Sequence, residues 1–192
     1  MGFHFKFYES RGTALEELTS KMYLNVQIFY KDEIEVARWY YNDNGTIKKE
    51  GKKINGIVRM YTEKGMLSSE MTYKNSSLNG RYLLLSEQGK VEEEGAFKDD
   101  ELDGKYRLYH ENGSIKLEGT YKNGRKHGIF RLYYPSGTIE EQETYKNGLL
   151  DGEVQSFKEN GLPETRALYR KGKLLRLWTY DDAGNLKKEE KF

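Results

Sequence analysis

The sequence predicts an all-β protein: an elongated antiparallel array of stacked β-hairpins, one per 24 residues, with a small α/β cap at the N-terminus. Three observations carry this. The stretch Lys105 to Gly128, KYRLYHENGSIKLEGTYKNGRKHG, recurs as IFRLYYPSGTIEEQETYKNGLLDG from Ile129 to Gly152, as RYLLLSEQGKVEEEGAFKDDELDG from Arg81 to Gly104 and as IVRMYTEKGMLSSEMTYKNSSLNG from Ile57 to Gly80. Repeats of this length are one supersecondary unit each. Turn residues recur at fixed places: Gly65, Gly89, Gly113, Gly137 and Gly161 in one turn, and Asn123-Gly124 and Asn147-Gly148 in the other, where the favoured hairpin turn needs positive φ at both central residues. Between the turns apolar and polar residues alternate with period two, the signature of a strand with one apolar face.

The chain begins differently. Phe3, Phe5 and Phe7 alternate with His4, Lys6 and Tyr8, a strand pattern. Thr13 to Glu16 fits a capping box, and Leu15, Leu18 and Met22 then share one helical face, so a short helix is expected. Leu24, Val26, Ile28 and Tyr30 alternate again, Lys31 to Glu33 reads as a turn, and Ile34 to Tyr41 as the return strand. Residues 1–41 are therefore expected to form a strand–helix–hairpin cap, and residues 42–192 an array of about six repeats, the last two degenerate. A shortened copy opens the array at Asn44-Gly45. In the copy from Glu153 to Leu175, Pro163 replaces the Ile115 position and no glycine closes the unit, and Arg176 to Phe192 is truncated. Terminal repeats lack a neighbour on one side and are expected to be atypical.

Within a repeat each column has a physical role. Tyr106 and Leu108, with their copies Tyr82/Leu84 and Phe130/Leu132, share one face of the first strand. The second strand ends in an aromatic column, Tyr73, Phe97, Tyr121, Tyr145 and Tyr169. Gly56, Gly80, Gly104, Gly128 and Gly152 precede each first strand, where a missing side chain lets a ring or a backbone come close. Tyr61, Tyr109, Tyr133, Phe157 and Tyr180 form a further column of opposite parity to Tyr106, which reads either as core or as the lining of a groove. A lone hairpin is marginal in water, so stability should be shared between neighbouring repeats.

Composition narrows the function. Charged residues make up 33% of the 192 and hydrophobic ones 36%, but 14% aromatics, including 16 tyrosines, argue for a packed fold over disorder. A net charge of +1 gives no pull toward nucleic acid. The absence of cysteine removes disulfides, thiolate metal ligands and a cysteine nucleophile, and fits a reducing compartment. No apolar run spans a bilayer and the start MGFHFKFYES lacks the regions of a secretory signal, so a cytoplasmic protein is expected. Histidine occurs only at 4, 110 and 127, and His110 and His127 occupy different columns, which favours scattered surface residues over a catalytic dyad. No metal-ligand spacing, phosphate loop or nucleophile elbow is present, so no enzymatic activity, metal or cofactor is expected.

The pattern aromatic-x-x-x-Gly-x-Ile-x-x-x-x-x-Tyr-Lys-Asn-Gly-x-x-Asp-Gly, clearest at Tyr109 to Gly128 and Tyr133 to Gly152, resembles the variant of the membrane occupation and recognition nexus (MORN) repeat across roughly residues 39–192. Chains made mostly of this variant resemble the YwqK-type antitoxin family. The resemblance implies a hairpin array that binds a partner protein, often a cognate toxin. The tighter Gly-x-Gly spacing of the eukaryotic repeat is absent, and residues 1–23 are not part of the motif.

Charge singles out one repeat. Glu92, Glu93, Glu94, Asp99, Asp100, Glu101 and Asp103 crowd together, between basic groups at Lys48, Lys49, Lys52 and Lys53 and at Arg166, Arg170, Lys171, Lys173 and Arg176. This reads either as a solvated face or as a patch that steers a basic partner. The expected partner contacts are Glu92, Glu94, Asp99, Asp100 and Glu101 together with Tyr109, Tyr133 and Phe157. The alternative is a membrane-surface adaptor that binds anionic lipid through the basic ends.

Overall fold

The computed structural model describes residues 17–23, 26–31, 34–41, 47–62 and 64–192. Every regular element among them is a strand, and the chain divides into two compact units, residues 1–91 with 97–100, and residues 92–96 with 101–192.

The first unit holds β1 (Glu17–Tyr23), β2 (Val26–Lys31), β3 (Ile34–Tyr41), β4 (Ile47–Gly51), β5 (Gly56–Tyr61), β6 (Leu67–Lys74) and β7 (Ser77–Leu85). Their pairing runs β4-β3-β2-β1-β5-β6-β7, antiparallel except that β1 lies parallel to β5, with Leu18 opposite Val58. The helix expected over Leu15, Leu18 and Met22 is thus corrected: residues 17–23 form a strand. A short helix gains backbone bonds only within itself, whereas this segment pairs with a strand on each side. The β2–β3 hairpin and the return strand Ile34–Tyr41 are as expected. The strand read over Phe3 to Phe7 and the capping box at Thr13 lie outside the described residues. Phe29, Ala37 and Trp39 pack with Ile54, Val58 and Tyr73, so the hairpin before the array and the first repeats share one core.

The second unit holds the centre of β8 (Val91–Lys98), the short β9 (Glu101–Leu102), β10 (Gly104–Tyr109), β11 (Ile115–Lys122), the short β12 (Arg125–Lys126), β13 (Gly128–Tyr133), β14 (Ile139–Lys146), β15 (Leu149–Phe157), β16 (Pro163–Arg170), β17 (Lys173–Tyr180) and β18 (Leu186–Lys191). The antiparallel order is β8-β10-β11-β13-β14-β15-β16-β17-β18. Pro163 is tolerated because it opens β16.

Two turns alternate along the array. The Asn-Gly turns have positive φ at both central residues, as at Asn123 (49°) and Gly124 (67°), and Asn75-Ser76, Asp99-Asp100 and Lys171-Gly172 adopt the same form. At the other end Gly113, Gly137 and Gly161 close tight turns, donating to His110, Tyr134 and Lys158 carbonyls. At that end a β-bulge interrupts the pairing between Met60 and Tyr61, Leu108 and Tyr109, Leu132 and Tyr133, Ser156 and Phe157, and Thr179 and Tyr180.

One face of the second unit is a ladder of rings. Tyr106, Tyr121, Phe130 and Tyr145 meet edge to face at centroid distances of 5.3, 5.4 and 5.5 Å, and Phe130 is fully buried. The close approach of a ring to a glycine occurs at Gly119, not at the closing glycines: a Cβ on Gly119 would lie 2.4 Å from the Phe130 ring. At Gly80 and Gly152 a Cβ would instead meet Thr72 and Thr144, at 2.8 and 2.9 Å.

Candidate functional site

Strand pleating puts Arg107, Tyr109 and Glu118 on the face opposite Tyr106 and Tyr121. There a polar ladder crosses the strands. Register sets Glu94 on β8 opposite Arg107 on β10, Arg107 opposite Glu118 on β11, Glu118 opposite Arg131 on β13, and Arg131 opposite Gln142 on β14. The side chains follow: Arg107 lies 3.3 Å from Glu94 and 3.7 Å from Glu118, Arg131 lies 3.6 Å from Glu118, and Arg131 Nε donates to Gln142 at 2.9 Å.

At Tyr109 and Tyr133 the bulge aims an aromatic residue onto this ladder. The Tyr109 hydroxyl donates to Glu94 at 2.8 Å and the Tyr133 hydroxyl to Glu118 at 2.9 Å, each reaching to the preceding repeat. Burial first, and then these bonds to a carboxylate, push both phenols above their ordinary range. The bond to Glu94 holds the Arg107 guanidinium in its charged form. Two successive repeats therefore carry the same triad, Glu94/Arg107/Tyr109 and Glu118/Arg131/Tyr133. In the third, all three members change together, to Gln142, Gln155 and Phe157. Farther along, Arg166 pairs with Glu153 and lies 4.9 Å over the Trp178 ring.

The expected contact residues fall into three groups. Tyr109, Tyr133 and Phe157 occupy one half-buried row at the bulges of β10, β13 and β15, on the polar face and away from the ring ladder. Glu94 is tied into the first triad, while Glu92 and Glu101 are exposed on β8 and β9. Asp99 and Asp100 build a turn of the first unit: Asp100 accepts from the Leu78 amide at 2.7 Å and Asp99 from the Asn79 side chain at 3.0 Å. Sequence reading missed Arg107, Glu118 and Arg131, although the recurrence of Glu-then-Arg at the repeat period was a signal for them.

His110 and His127 stand at opposite ends of β11, a strand of roughly 25 Å, and His110 Nε2 pairs with the Tyr133 carbonyl at 2.8 Å. Among the described residues no group of His, Cys, Asp or Glu could hold a metal ion.

Stacked hairpins presenting a row of aromatic residues, Tyr109, Tyr133 and Phe157, on a charged face define a class, the repeat-type binding scaffold. Three segments, 54–75, 102–123 and 126–147, match the MORN repeat variant. No curated protein matches the chain.

Proposed function

We propose that this chain is an antitoxin or immunity-type protein of the cytoplasm, which binds a partner toxin and occludes its active surface without chemistry of its own. The supporting observation is the row Tyr109, Tyr133 and Phe157 on the polar face, with the exposed carboxylate of Glu92 at the Tyr109 end of β8. Aromatic residues beside charge favour recognition, and an acidic rim speeds the approach of a basic partner. The lipid-adaptor alternative draws less support. Lys49 donates to the Ser76 carbonyl and lies 4.2 Å over the Trp39 ring, Lys48 pairs with Glu50, Arg166 with Glu153 and Arg176 with Glu189.

Co-expression tests the reading. A toxin gene is expected beside this one, and its product should be neutralised by the intact chain and not by a Tyr109→Ala/Tyr133→Ala variant that melts as a folded protein. Equal protection by both chains overturns the reading, as does failure of the intact chain to protect. Co-sedimentation of the intact chain with anionic vesicles at low salt would favour the adaptor instead.

A further inference from the structure

Four aromatic residues recur at equivalent places in the second unit. Tyr109, Tyr133, Phe157 and Tyr180 each follow the bulge of their strand, on β10, β13, β15 and β17. One strand lies between each pair, β11, β14 and β16 in turn. Adjacent strands are about 4.8 Å apart, so the row advances by about 9.5 Å per ring. Among the described residues no aromatic ring packs against these four. The hydroxyl bonds of Tyr109 and Tyr133 to Glu94 and Glu118 hold the first two rings in place before any ligand arrives.

A ligand that uses every ring must repeat at the same interval. An extended β-strand does not, because its side chains alternate with period two. A polyproline II helix does: three residues per turn at about 3.1 Å give about 9.3 Å per turn. Such segments dock on aromatic-lined grooves, and their rigidity keeps the ordering cost low. The charged residues between the rings set the ligand's polarity. Lys116 on β11 is exposed between Tyr109 and Tyr133, Glu140 on β14 stands between Tyr133 and Phe157, and exposed Glu164 on β16 stands between Phe157 and Tyr180.

We propose that this row binds a proline-rich segment of the partner in the polyproline II conformation, running across the strands with one proline on each ring. The segment carries an acidic residue in the interval facing Lys116 and basic residues in the two intervals facing Glu140 and Glu164. The inference rests on the reading of this face as the partner-binding surface and names the chemistry of what it holds.

The probe is a fluorescent ten-residue peptide with proline at every third position, a glutamate in the first interval and lysines in the next two, made in both chain directions. Anisotropy titration against the full chain should show saturable binding of one direction. Moving the prolines out of period at constant composition, or exchanging the glutamate and lysines, should weaken it about tenfold. Tyr133→Ala should weaken it about tenfold as well, while Tyr133→Phe, which keeps the ring and loses only the bond to Glu118, should bind within about twofold. Equal binding of in-period and out-of-period peptides overturns the inference, as does tight binding by Tyr133→Ala. Binding of a linear glycan in place of the peptide also overturns it, since regularly spaced rings suit sugars too. If the peptides fail while Tyr133→Ala still abolishes toxin neutralisation, the polyproline inference falls and the scaffold reading stands; if neutralisation is also unaffected, both fall.

Discussion

The Gly124 amide donates to the carbonyl oxygen of Leu102, one hairpin back along the chain, at 2.9 Å. Ser76 donates to Ile54, Gly148 to Lys126 and Gly172 to Leu150 in the same way, at 2.8 to 2.9 Å. Residues 54, 102 and 126 are also where the three segments matching the repeat variant begin. The unit is thus closed by a bond from the turn just past its end to its own first residue. Asp100 and Leu78 make the equivalent bond at 3.0 Å where no match was found, so the fold continues through a copy whose turn sequence has drifted.

A repeat closed in this way should be removable whole. Deleting Lys105 to Gly128 joins Gly104 to Ile129 and restores every turn-to-carbonyl bond with residues of the same kind. The shortened protein should melt cooperatively with a modest loss of stability. Deleting only Lys105 to Lys116 pairs a first strand with the wrong neighbour and should abolish the transition, because register slips invert the faces. Indistinguishable melts of the two deletions would show that the 24-residue repeat is not the structural unit.

Gly119 is the tightest point of the ring ladder. Alanine there meets the Phe130 ring at 2.4 to 2.6 Å, and Phe130, fully buried, has nowhere to move. Gly119→Ala should lower stability by about 1–3 kcal/mol in denaturant titration. Gly119→Ala combined with Phe130→Leu should be less destabilised than the sum of the two single changes, because the smaller side chain vacates the space. Strict additivity would place the strain elsewhere.

The triad that changes as a unit in the third repeat can be rebuilt. Gln142→Glu, Gln155→Arg and Phe157→Tyr together copy Glu118, Arg131 and Tyr133. These groups are partly exposed, so each ion pair should contribute only a few tenths of a kcal/mol. The triple variant should gain about 0.5–1 kcal/mol at low salt and lose most of that gain at 1 M salt. Gln155→Arg alone should be neutral or slightly destabilising, since it meets Arg166 in the register and has no carboxylate at 142, whereas Gln142→Glu alone keeps Arg131 as its partner.

Much of this fold is local, and that part was legible. The period, the Asn-Gly turns and the alternation between them determine which residues face together, because each strand pairs with its sequence neighbour. The N-terminal segment was misread for the opposite reason. Leu15, Leu18 and Met22 fit a helical spacing, but residues 17–23 are held by β2 and by the parallel β5, and nothing local announces a partner so far along the chain. The row Tyr109, Tyr133 and Phe157 was visible as a column, but its side of the sheet was ambiguous because a bulge interrupts the alternation just before it. The turn role of Asp99 and Asp100 was hidden because their partners, Asn79 and Leu78, sit in the preceding hairpin.

Alkaline pH should loosen the ring ladder. Burial, and after it the neighbouring Glu93 carboxylate, raises the Tyr106 phenol from 10.0 to about 12, and burial with Glu143 raises Tyr145 as well. The native state keeps protons that the unfolded chain releases. This contribution to stability is therefore fully present below pH 10.0 and is lost as pH rises toward about 12. Tyr106→Phe should reduce the steepness of that loss, measured as unfolding midpoints from pH 9 to 12 alongside tyrosinate absorbance.

Glu141 gives the opposite end of the pH scale. It stands on the ring face of β14, opposite Leu132 on one side and Ser156 on the other, where the preceding repeat has Leu117. Among the described residues no hydrogen bond or ion pair reaches its carboxylate. Burial raises its proton affinity first, the charges of Glu143 and Glu140 add to this, and Lys126 opposes it. The native carboxyl thus holds its proton to higher pH than the unfolded chain does. Its contribution is fully present below the ordinary value of 4.5 and is lost as pH rises through the native value. At neutral pH the charged form therefore destabilises the fold. Glu141→Gln should be more stable than the parent at pH 7, and Glu141→Leu, which restores the residue of the preceding repeat, more stable still. For Glu141→Gln the gain should shrink steadily as pH falls to 4, where the parent carboxyl is itself neutral. Denaturant midpoints at pH 4, 5, 6 and 7 measure this, and a gain independent of pH would show that packing, not charge, sets the cost of Glu141.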